Sequence, residues 1–323
     1  MEQTTAKKNK YEIDMCNGTI MDKLISFSLP LMLSGILQLM FNAVDIIVVG
    51  RFSGSQALAA VGSTSALINV FTNLFIGISL GANVLTARFY AAGREKEVSE
   101  TVHTAITLAL VSGIIMALVG LVFSKGALAL MGTPDDVIGL SALYMRIYFL
   151  GMPFFMLYNY GAAILRAVGD TKRPLLFLMI AGVINACLNM VLVIVFKLGV
   201  AGVAIATVIS QMISCVLVLR CLCRSESSYR LCFSELGMKG YYLKQIFSVG
   251  VPAGIQSTVI NFSNVLLQSS VNSFGSTAMA GYTAANNLLG FLYVSVNSIT
   301  QACMSFTSQN YGVGRFKRRD RVL

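Results

Sequence analysis

Long uncharged stretches, separated by short charged segments, run along the whole chain. Residues 24–50 contain a single charged residue, and residues 245–314 contain none. A membrane-spanning helix needs about 20 predominantly apolar residues, so these stretches are long enough to cross a bilayer. The pattern predicts eight spanning helices, the last two being separated at the turn-like sequence NSFGST. They are expected at residues 24–50, 56–87, 102–124, 137–165, 174–196, 200–219, 245–272 and 276–308.

The composition agrees with a membrane protein. Of the 323 residues, 56% are hydrophobic and 12% are charged, whereas about 25% are charged in soluble proteins. The net charge of +10 does not indicate a nucleic-acid partner, because the basic residues are spread among the predicted loops and form no single patch. The sequence therefore predicts an all-α polytopic membrane protein that lies in a lipid bilayer.

No pattern in the chain indicates an enzyme. The seven cysteines are scattered and give neither a disulfide framework nor a zinc-binding spacing, and His103 is the only histidine. No pair of nucleophile and base and no phosphate-binding loop can be recognised. We therefore expect no catalytic residue and no cofactor.

Lysine and arginine are distributed unevenly over the predicted loops. Of the 24, 20 lie in alternate segments that begin with the N-terminus, and 3 lie in the segments between them. Because an excess of these residues marks cytoplasmic loops, the N-terminus is predicted to be cytoplasmic. The expected location is the plasma (inner) membrane.

Two sequence similarities indicate an internal repeat. FYAAGR at residues 89–94 recurs as NYGVGR at 310–315, and the segment ending at Pro30 resembles the one ending at Pro252. Six predicted spans separate equivalent points, so both copies have the same orientation, as in transporters built from parallel repeats. The predicted fold is thus a 6+6 parallel repeat with an incomplete second lobe. Its parts are a cytoplasmic tail (1–23), an N-terminal six-helix lobe (24–219), a cytoplasmic linker (220–244) and the first two helices of the second lobe (245–323).

Polar side chains recur at helical spacing within several predicted spans. Such stripes face other helices or a hydrated cavity, because lipid offers them no hydrogen-bond partners. Interhelical hydrogen bonding explains any one of them equally well, but several together favour a cavity. The predicted cavity-lining residues are Gln38, Asn42, Asn69, Asn73, Gln211, Gln256, Asn261 and Asn264.

Asp45 is the only acidic residue inside a predicted span. A carboxylate at the centre of a bilayer costs roughly 2.5 to 3.5 kcal/mol by insertion scales, and such residues usually mark ion or proton pathways. The alternative is a structural ion pair with Arg51 or Arg146. Asp45 is therefore a candidate for binding Na⁺ or for exchanging a proton.

Several motifs resemble the multidrug and toxic compound extrusion (MATE) family, in corresponding order from about residue 20 onwards. They include LPLMLSGILQLMFNAVDIIVVGRFSG, LRAVGDTKRP, GVAGVAIATVISQ and VGVPAGIQS. The resemblance implies two six-helix lobes around a central cavity, and export of lipophilic, often cationic compounds by alternating access, driven by inward Na⁺ or H⁺ flow. It covers eight of the family's twelve spans.

The resemblance also implies a cation site. Asp45 matches the aspartate of the family's first span, and Asn185 and Thr207 match positions that help to form the site. Asn189 departs from the pattern, because many relatives have an aspartate there. The coupling site, with possible Na⁺ binding, is expected at Asp45, Asn185, Asn189 and Thr207. The loss of one carboxylate leaves open whether Na⁺ or H⁺ is used.

Two alternatives to a multidrug antiporter stay open on the sequence. A flippase for lipid-linked saccharides, from the same superfamily, would hold phosphate with several cations in its cavity, and Arg146 and Arg166 are the candidates within or beside spans. The other alternative is a truncated membrane protein that does not transport. Substrate identity and oligomeric state do not follow from the sequence.

Overall fold

α-Helices form most of the described chain. The computed structural model describes residues 11–131, 133–272 and 276–322, with the backbone alone at positions 63, 66, 261, 264–266, 268, 269, 271, 272, 276–284 and 286–288. Over these residues the helices are α1 (Ile20–Phe52), α2 (Ser55–Ala91), α3 (Glu95–Leu130), α4 (Asp135–Leu150), α5 (Met152–Ala167), α6 (Lys172–Met190), α7 (Gly199–Cys223), α8 (Gly240–Asn272), α9 (Ser276–Gly312) and α10 (Phe316–Arg319). A π-helical turn, Val191–Val195, extends α6.

Most of these helices are long enough to cross a bilayer. Within the described residues, α1, α2, α3, α6 with its π-helical turn, and α7 are each sufficiently long and apolar, and α4 and α5 together form a sixth such span bent by 48°. α8 and α9 have 33 and 37 residues, more than a spanning helix needs. The predicted all-α fold is confirmed, whereas the predicted domain boundaries stay predictions.

One end of the helix bundle brings together several loops and helix ends. The segment that precedes α1 meets the loop after α5 through Ile13 and Gly169, the end of α2 through Tyr90, and the end of α9 through Asn310. We call this end the N-terminal face. α1, α3, α6 and α8 begin there, and their C-terminal ends lie at the opposite face.

The bent span is broken at Gly151. Pro153 lies in the first turn of α5, where its missing N–H group costs little. Gly113 of α3 allows close packing after the break, since a Cβ atom there would lie 2.5 Å from Cα of Pro153. Pro30 and Pro252, which end the two repeated segments, lie inside α1 and α8, and both helices continue through them.

The core of the first lobe is built around α5. Five of its large side chains are fully buried: Met152, Met156, Tyr160, Ile164 and Leu165. Large apolar side chains are exposed elsewhere, as on α3 (Leu118, Val122, Phe123) and after α6 (Val195, Phe196). Exposed apolar surface of this kind suits contact with lipid chains, so both observations fit a bundle with a packed interior and an apolar outside.

α8 packs tightly against the half of α2 that lies nearer the N-terminal face. A Cβ atom at Gly77 would lie 2.2 Å from Cα of Gly254, and one at Gly81 would lie 2.2 Å from the carbonyl oxygen of Ile246. Small residues at such positions let helix backbones approach closely. The first lobe and the two following helices therefore meet through glycine-lined crossings near this face.

The helices extend beyond the predicted spans. α3 begins at Glu95, whereas the apolar pattern predicts a start at residue 102. Glu95 and Glu97 occupy its first turn, where acidic side chains stabilise the positive end of a helix. The charged residues at the edge of this apolar stretch therefore belong to the same helix, which extends beyond the predicted span.

Candidate cation site

Close packing of α1 against α6 positions Asp45. A Cβ atom at Gly182 of α6 would lie 1.8 Å from Cε2 of the Phe41 ring on α1, so the ring needs a glycine opposite it. Asp45 lies four residues after Phe41, on the same face of α1, and Asn189 lies about two turns after Gly182 on α6. The same crossing therefore brings both polar side chains to one place.

The Asp45 carboxylate accepts a hydrogen bond from the side-chain amide of Asn189. Asn189 is fully buried, and its Nδ2 also donates to Oδ1 of Asn185 at 3.1 Å. Asn185 in turn donates from Nδ2 to Oγ1 of Thr207 on α7 at 3.5 Å. The four residues predicted to form the coupling site thus make one hydrogen-bonded chain across α1, α6 and α7.

One buried oxygen in this chain has no hydrogen-bond partner among the described residues. It is Oδ1 of Asn189, which is buried beside the Asp45 carboxylate. Buried acceptors are normally satisfied, and an open one next to a negative charge is an arrangement that a bound cation or an ordered water can complete. Na⁺ is bound by carboxylate, amide and hydroxyl oxygens, and a proton needs only the carboxylate. The residues present fit either ion.

The alternative of a structural ion pair finds no support at Asp45. Among the described residues no salt bridge joins it to Arg51 or Arg146, and both arginines are exposed. Asp45 lies seven residues before the end of α1 at Phe52, which is about 10 Å at 1.5 Å per residue. The site is therefore nearer the opposite face than the N-terminal face.

Two tyrosines of α4 belong to the surroundings of this site, although the sequence reasoning did not select them. Tyr144 and Tyr148 are stacked, with ring centroids 6.1 Å apart, and both interact electrostatically with Asp45. Their spacing of four residues places them on one helix face. That spacing was the only available signal, and it does not reveal which helix the pair faces.

The predicted cavity-lining residues are found in different environments. Gln38, Asn42, Asn69 and Gln256 are exposed, and Asn73 and Gln211 are partly buried. The side chains of Asn261 and Asn264 lie outside the described part of the chain. None of the six described side chains joins the chain of hydrogen bonds at Asp45, so a role in lining the cavity stays a prediction.

Arg166 and Arg146 do not form a shared cationic site in the structure. Arg166 lines a crevice between α2, α5 and α9, together with Asn83 and Ser305. The crevice is too narrow to hold a water molecule, and Arg146 is not part of its lining. The cluster of cations that a phosphate-carrying substrate needs is therefore not assembled from these two residues.

A family model now decides the classification of the chain. The MatE family model matches residues 30–191 and 252–323, which include Asp45, Asn185 and Asn189 of the candidate site, whereas Thr207 lies between the two matched segments. The chain belongs to the MATE family. It is a multi-pass membrane protein with the α-helical fold of that family.

Curated relatives are similar over almost the whole chain. The probable multidrug resistance protein YoeA of Bacillus subtilis is 35% identical over 306 residues, which are 92% of this chain and 66% of that protein. The probable multidrug resistance protein YpnP of the same organism is 29% identical over 306 residues, covering 94% of this chain and 68% of the relative. The MATE chain thus spans about two thirds of the length of these relatives.

A solved structure has the same fold. A multidrug resistance MATE family transporter of the MOP superfamily, solved in an outward-facing conformation, superposes with a TM-score of 0.90 at 22% identity. The match covers 98% of this chain and 70% of the other. At this identity the likeness establishes the fold.

Proposed function

We propose that the protein is a secondary active antiporter that exports small, lipophilic and often cationic organic compounds, driven by inward flow of Na⁺ or H⁺. The observation that carries this proposal is the Asp45 carboxylate beside the open amide oxygen of Asn189. Membership of the MATE family supports export, and the relatives named for multidrug resistance support a broad range of organic substrates.

The charge of the site gives a physical basis for coupling. An unoccupied Asp45 carboxylate is a negative charge within the membrane, which is costly, and a bound Na⁺ or proton neutralises it. Because Asp45 and Asn189 are on different helices, binding favours the arrangement in which α1 and α6 stay together. A substrate that favours the other arrangement would displace the cation, as reciprocal linkage between two sites requires. Alternating access then converts this competition into exchange across the membrane.

The identity of the ion depends on Asn189. With one carboxylate and one neutral amide, the site offers Na⁺ a single negative ligand, whereas a proton needs no more than Asp45. We include both ions in the proposal. The dependence of transport on the Na⁺ gradient at fixed pH, and on the pH gradient at fixed Na⁺, distinguishes them.

The distribution of basic residues supports an orientation. Of the 24 lysines and arginines, 20 lie in segments on the side of the N-terminus, so we place the N-terminal face in the cytoplasm and the protein in the inner membrane. Asp45, which lies nearer the opposite face, would then exchange its cation with the external side.

Efflux of a fluorescent cationic dye from cells that lack other exporters tests the proposal. Wild-type protein should lower dye accumulation in a manner that depends on the ion gradient, and Asp45→Asn should abolish this dependence. Asp22→Asn is the matched control, because it makes the same chemical change at an exposed residue in the first turn of the same helix, far from the site. Gradient-driven efflux by Asp45→Asn at wild-type expression would refute the proposed role of Asp45.

A further inference from the structure

Residues 11–18, the segment that precedes α1, are fixed at three points to the first lobe and to the linker that follows it. The Glu12 carboxylate accepts hydrogen bonds from the Tyr90 hydroxyl on α2 at 2.7 Å and from the Tyr229 hydroxyl in the loop after α7 at 2.8 Å. The Ile13 N–H group donates to the carbonyl of Gly169 at 3.2 Å. Side-chain and backbone groups thus hold this segment against three separate parts of the N-terminal face.

The contact at Gly169 leaves no space for another residue type. Gly169 has a φ of 95°, which is a conformation that favours glycine, and a Cβ atom there would lie 2.4 Å from the carbonyl oxygen of Ile13. The loop between α5 and α6 and the N-terminal segment therefore fit each other closely. Such a fit indicates a defined position for the segment on this face.

The same segment is also fixed to the end of α9 and to Arg315, which lies between α9 and α10. The Met15 carbonyl accepts a hydrogen bond from Nδ2 of Asn310 at 3.2 Å. Arg315 donates from Nη1 to Oδ1 of Asn17 at 2.8 Å and also to the Cys16 carbonyl. One short segment thus contacts the first lobe at one end and α9 at the other.

Apolar packing reinforces the contact with α9. The Met15 side chain is fully buried in a small cluster with Phe27 of α1 and with Ala302 and Phe306 of α9. This cluster is separate from the main core of the first lobe. The segment therefore contributes an apolar side chain, as well as hydrogen bonds, to the junction between α1 and α9.

Direct contacts between the first lobe and α9 lie close to the same place. Ser305 donates to Oδ1 of Asn83 at 3.1 Å, and Nε2 of Gln309 donates to the Ala167 carbonyl at 2.8 Å. If α9 moves away from the first lobe at the N-terminal face, these bonds break. Residues 11–18 would then have to detach either from the first lobe or from α9, because their hydrogen bonds cannot reach across a gap between the two.

We propose that residues 11–18 act as a latch that holds the N-terminal face closed by joining the first lobe to α9. Opening of this face requires release of the latch from the first lobe or from α9. The idea deepens the proposed function, since alternating access needs this face to open once in each cycle. It predicts that weakening either end of the latch shifts the protein towards an arrangement with α9 separated from the first lobe.

The test weakens each end separately in the full chain, reconstituted in lipid nanodiscs. Arg315→Ala removes contacts at α9, and Tyr90→Phe removes one hydrogen bond at the first lobe. Arg321→Ala is the matched control for Arg315→Ala, because it removes one positive charge from an exposed residue near the same helix end. Tyr90→Phe keeps the aromatic ring and so preserves the packing around it. This variant still provides the test if Arg315→Ala does not fold.

Two measurements give the readout, and neither needs a substrate. Hydrogen exchange of residues 11–18 should increase about tenfold in Arg315→Ala relative to the control, which reports release of the segment. Spin labels on non-natural amino acids at the exposed positions Lys96 and Lys317 measure the distance between the first lobe and the end of α9. This distance should shift to longer values in both Tyr90→Phe and Arg315→Ala.

The possible outcomes separate a latch from a passive segment. Longer distances in both variants, with Arg321→Ala unchanged, support the latch. Faster exchange of residues 11–18 with an unchanged distance would overturn it, and so would Arg315→Ala behaving like Arg321→Ala in both measurements. Because neither readout depends on transport, failure of the antiport proposal would leave this result interpretable.

Discussion

Replacement of Asp45 by asparagine should stabilise the protein while removing its response to cations. The substitution keeps the shape of the side chain and removes a charge for which insertion scales give a cost of roughly 2.5 to 3.5 kcal/mol at the bilayer centre. Asp45 is only partly buried and lies towards one end of α1, so its own cost is smaller. The hydrogen bond from Asn189 persists in neutral form, with a loss of about 1 kcal/mol. The net gain should be about 1 kcal/mol.

The wild-type protein should gain stability from the coupling ion, whereas the variant should not. Binding of a ligand to the folded state alone contributes RT ln(1 + [L]/Kd), which is about 1.4 kcal/mol at a concentration ten times Kd. Asp45 supplies the only carboxylate of the site, so Asp45→Asn should lose this contribution. Wild type and variant should therefore change their order of stability when the ion is added at a saturating concentration.

Thermal unfolding in detergent provides the assay. Melting is compared in NaCl and in choline chloride at equal ionic strength, and at two pH values in the absence of Na⁺. Asp22→Asn should show the ion dependence of the wild type, because Asp22 is exposed in the first turn of α1 and takes no part in the hydrogen bonds at Asp45. An ion-dependent shift of equal size in Asp45→Asn and wild type would refute the assignment of the site.

Three further substitutions test other parts of the account. Asn189→Asp places a second carboxylate at the site, so Na⁺ should stabilise this variant at about tenfold lower concentration than the wild type, and an unchanged Na⁺ titration would contradict the ligand set. Gly81→Ala should lower the free energy of unfolding by about 1 to 3 kcal/mol, because its Cβ atom would lie 2.2 Å from a carbonyl oxygen of α8. Gly62→Ala on the same helix is the control, because a Cβ atom there meets nothing within 4 Å and should not destabilise the protein. Equal melting temperatures of the two variants would contradict the close crossing of α2 and α8. Asp170→Asn should cost about 2 to 3 kcal/mol, since it leaves the partly buried Arg173 without its ion-pair partner, and a melting temperature equal to wild type would show that this pair contributes nothing.

The helical pattern and the candidate site could be predicted to different extents. Asn185 and Asn189 are four residues apart on α6, so the sequence alone places them on one face. Their approach to Asp45 depends on the packing of Phe41 against Gly182. Apolar periodicity contains no information about which two helices meet, and here the family resemblance supplied that pairing.

The N-terminal segment shows a second limit of sequence reasoning. Residues 1–23 read as a polar tail, whereas residues 11–18 are docked and α1 begins at Ile20. The contacts of Glu12 and Met15 involve residues more than 200 positions away, such as Tyr229 and Asn310. No local signal predicts such pairings, because each single contact uses common residue types.

Exchange in proteoliposomes tests the central claim most directly. Vesicles containing the protein are loaded with a lipophilic cationic dye, and movement of Na⁺ and of protons is followed as the dye leaves down its gradient. The account predicts counterflow of one of these ions in wild type and Asp22→Asn, and none in Asp45→Asn, because reciprocal linkage requires that substrate movement drive ion movement. Dye-driven ion counterflow of wild-type size in Asp45→Asn would contradict it.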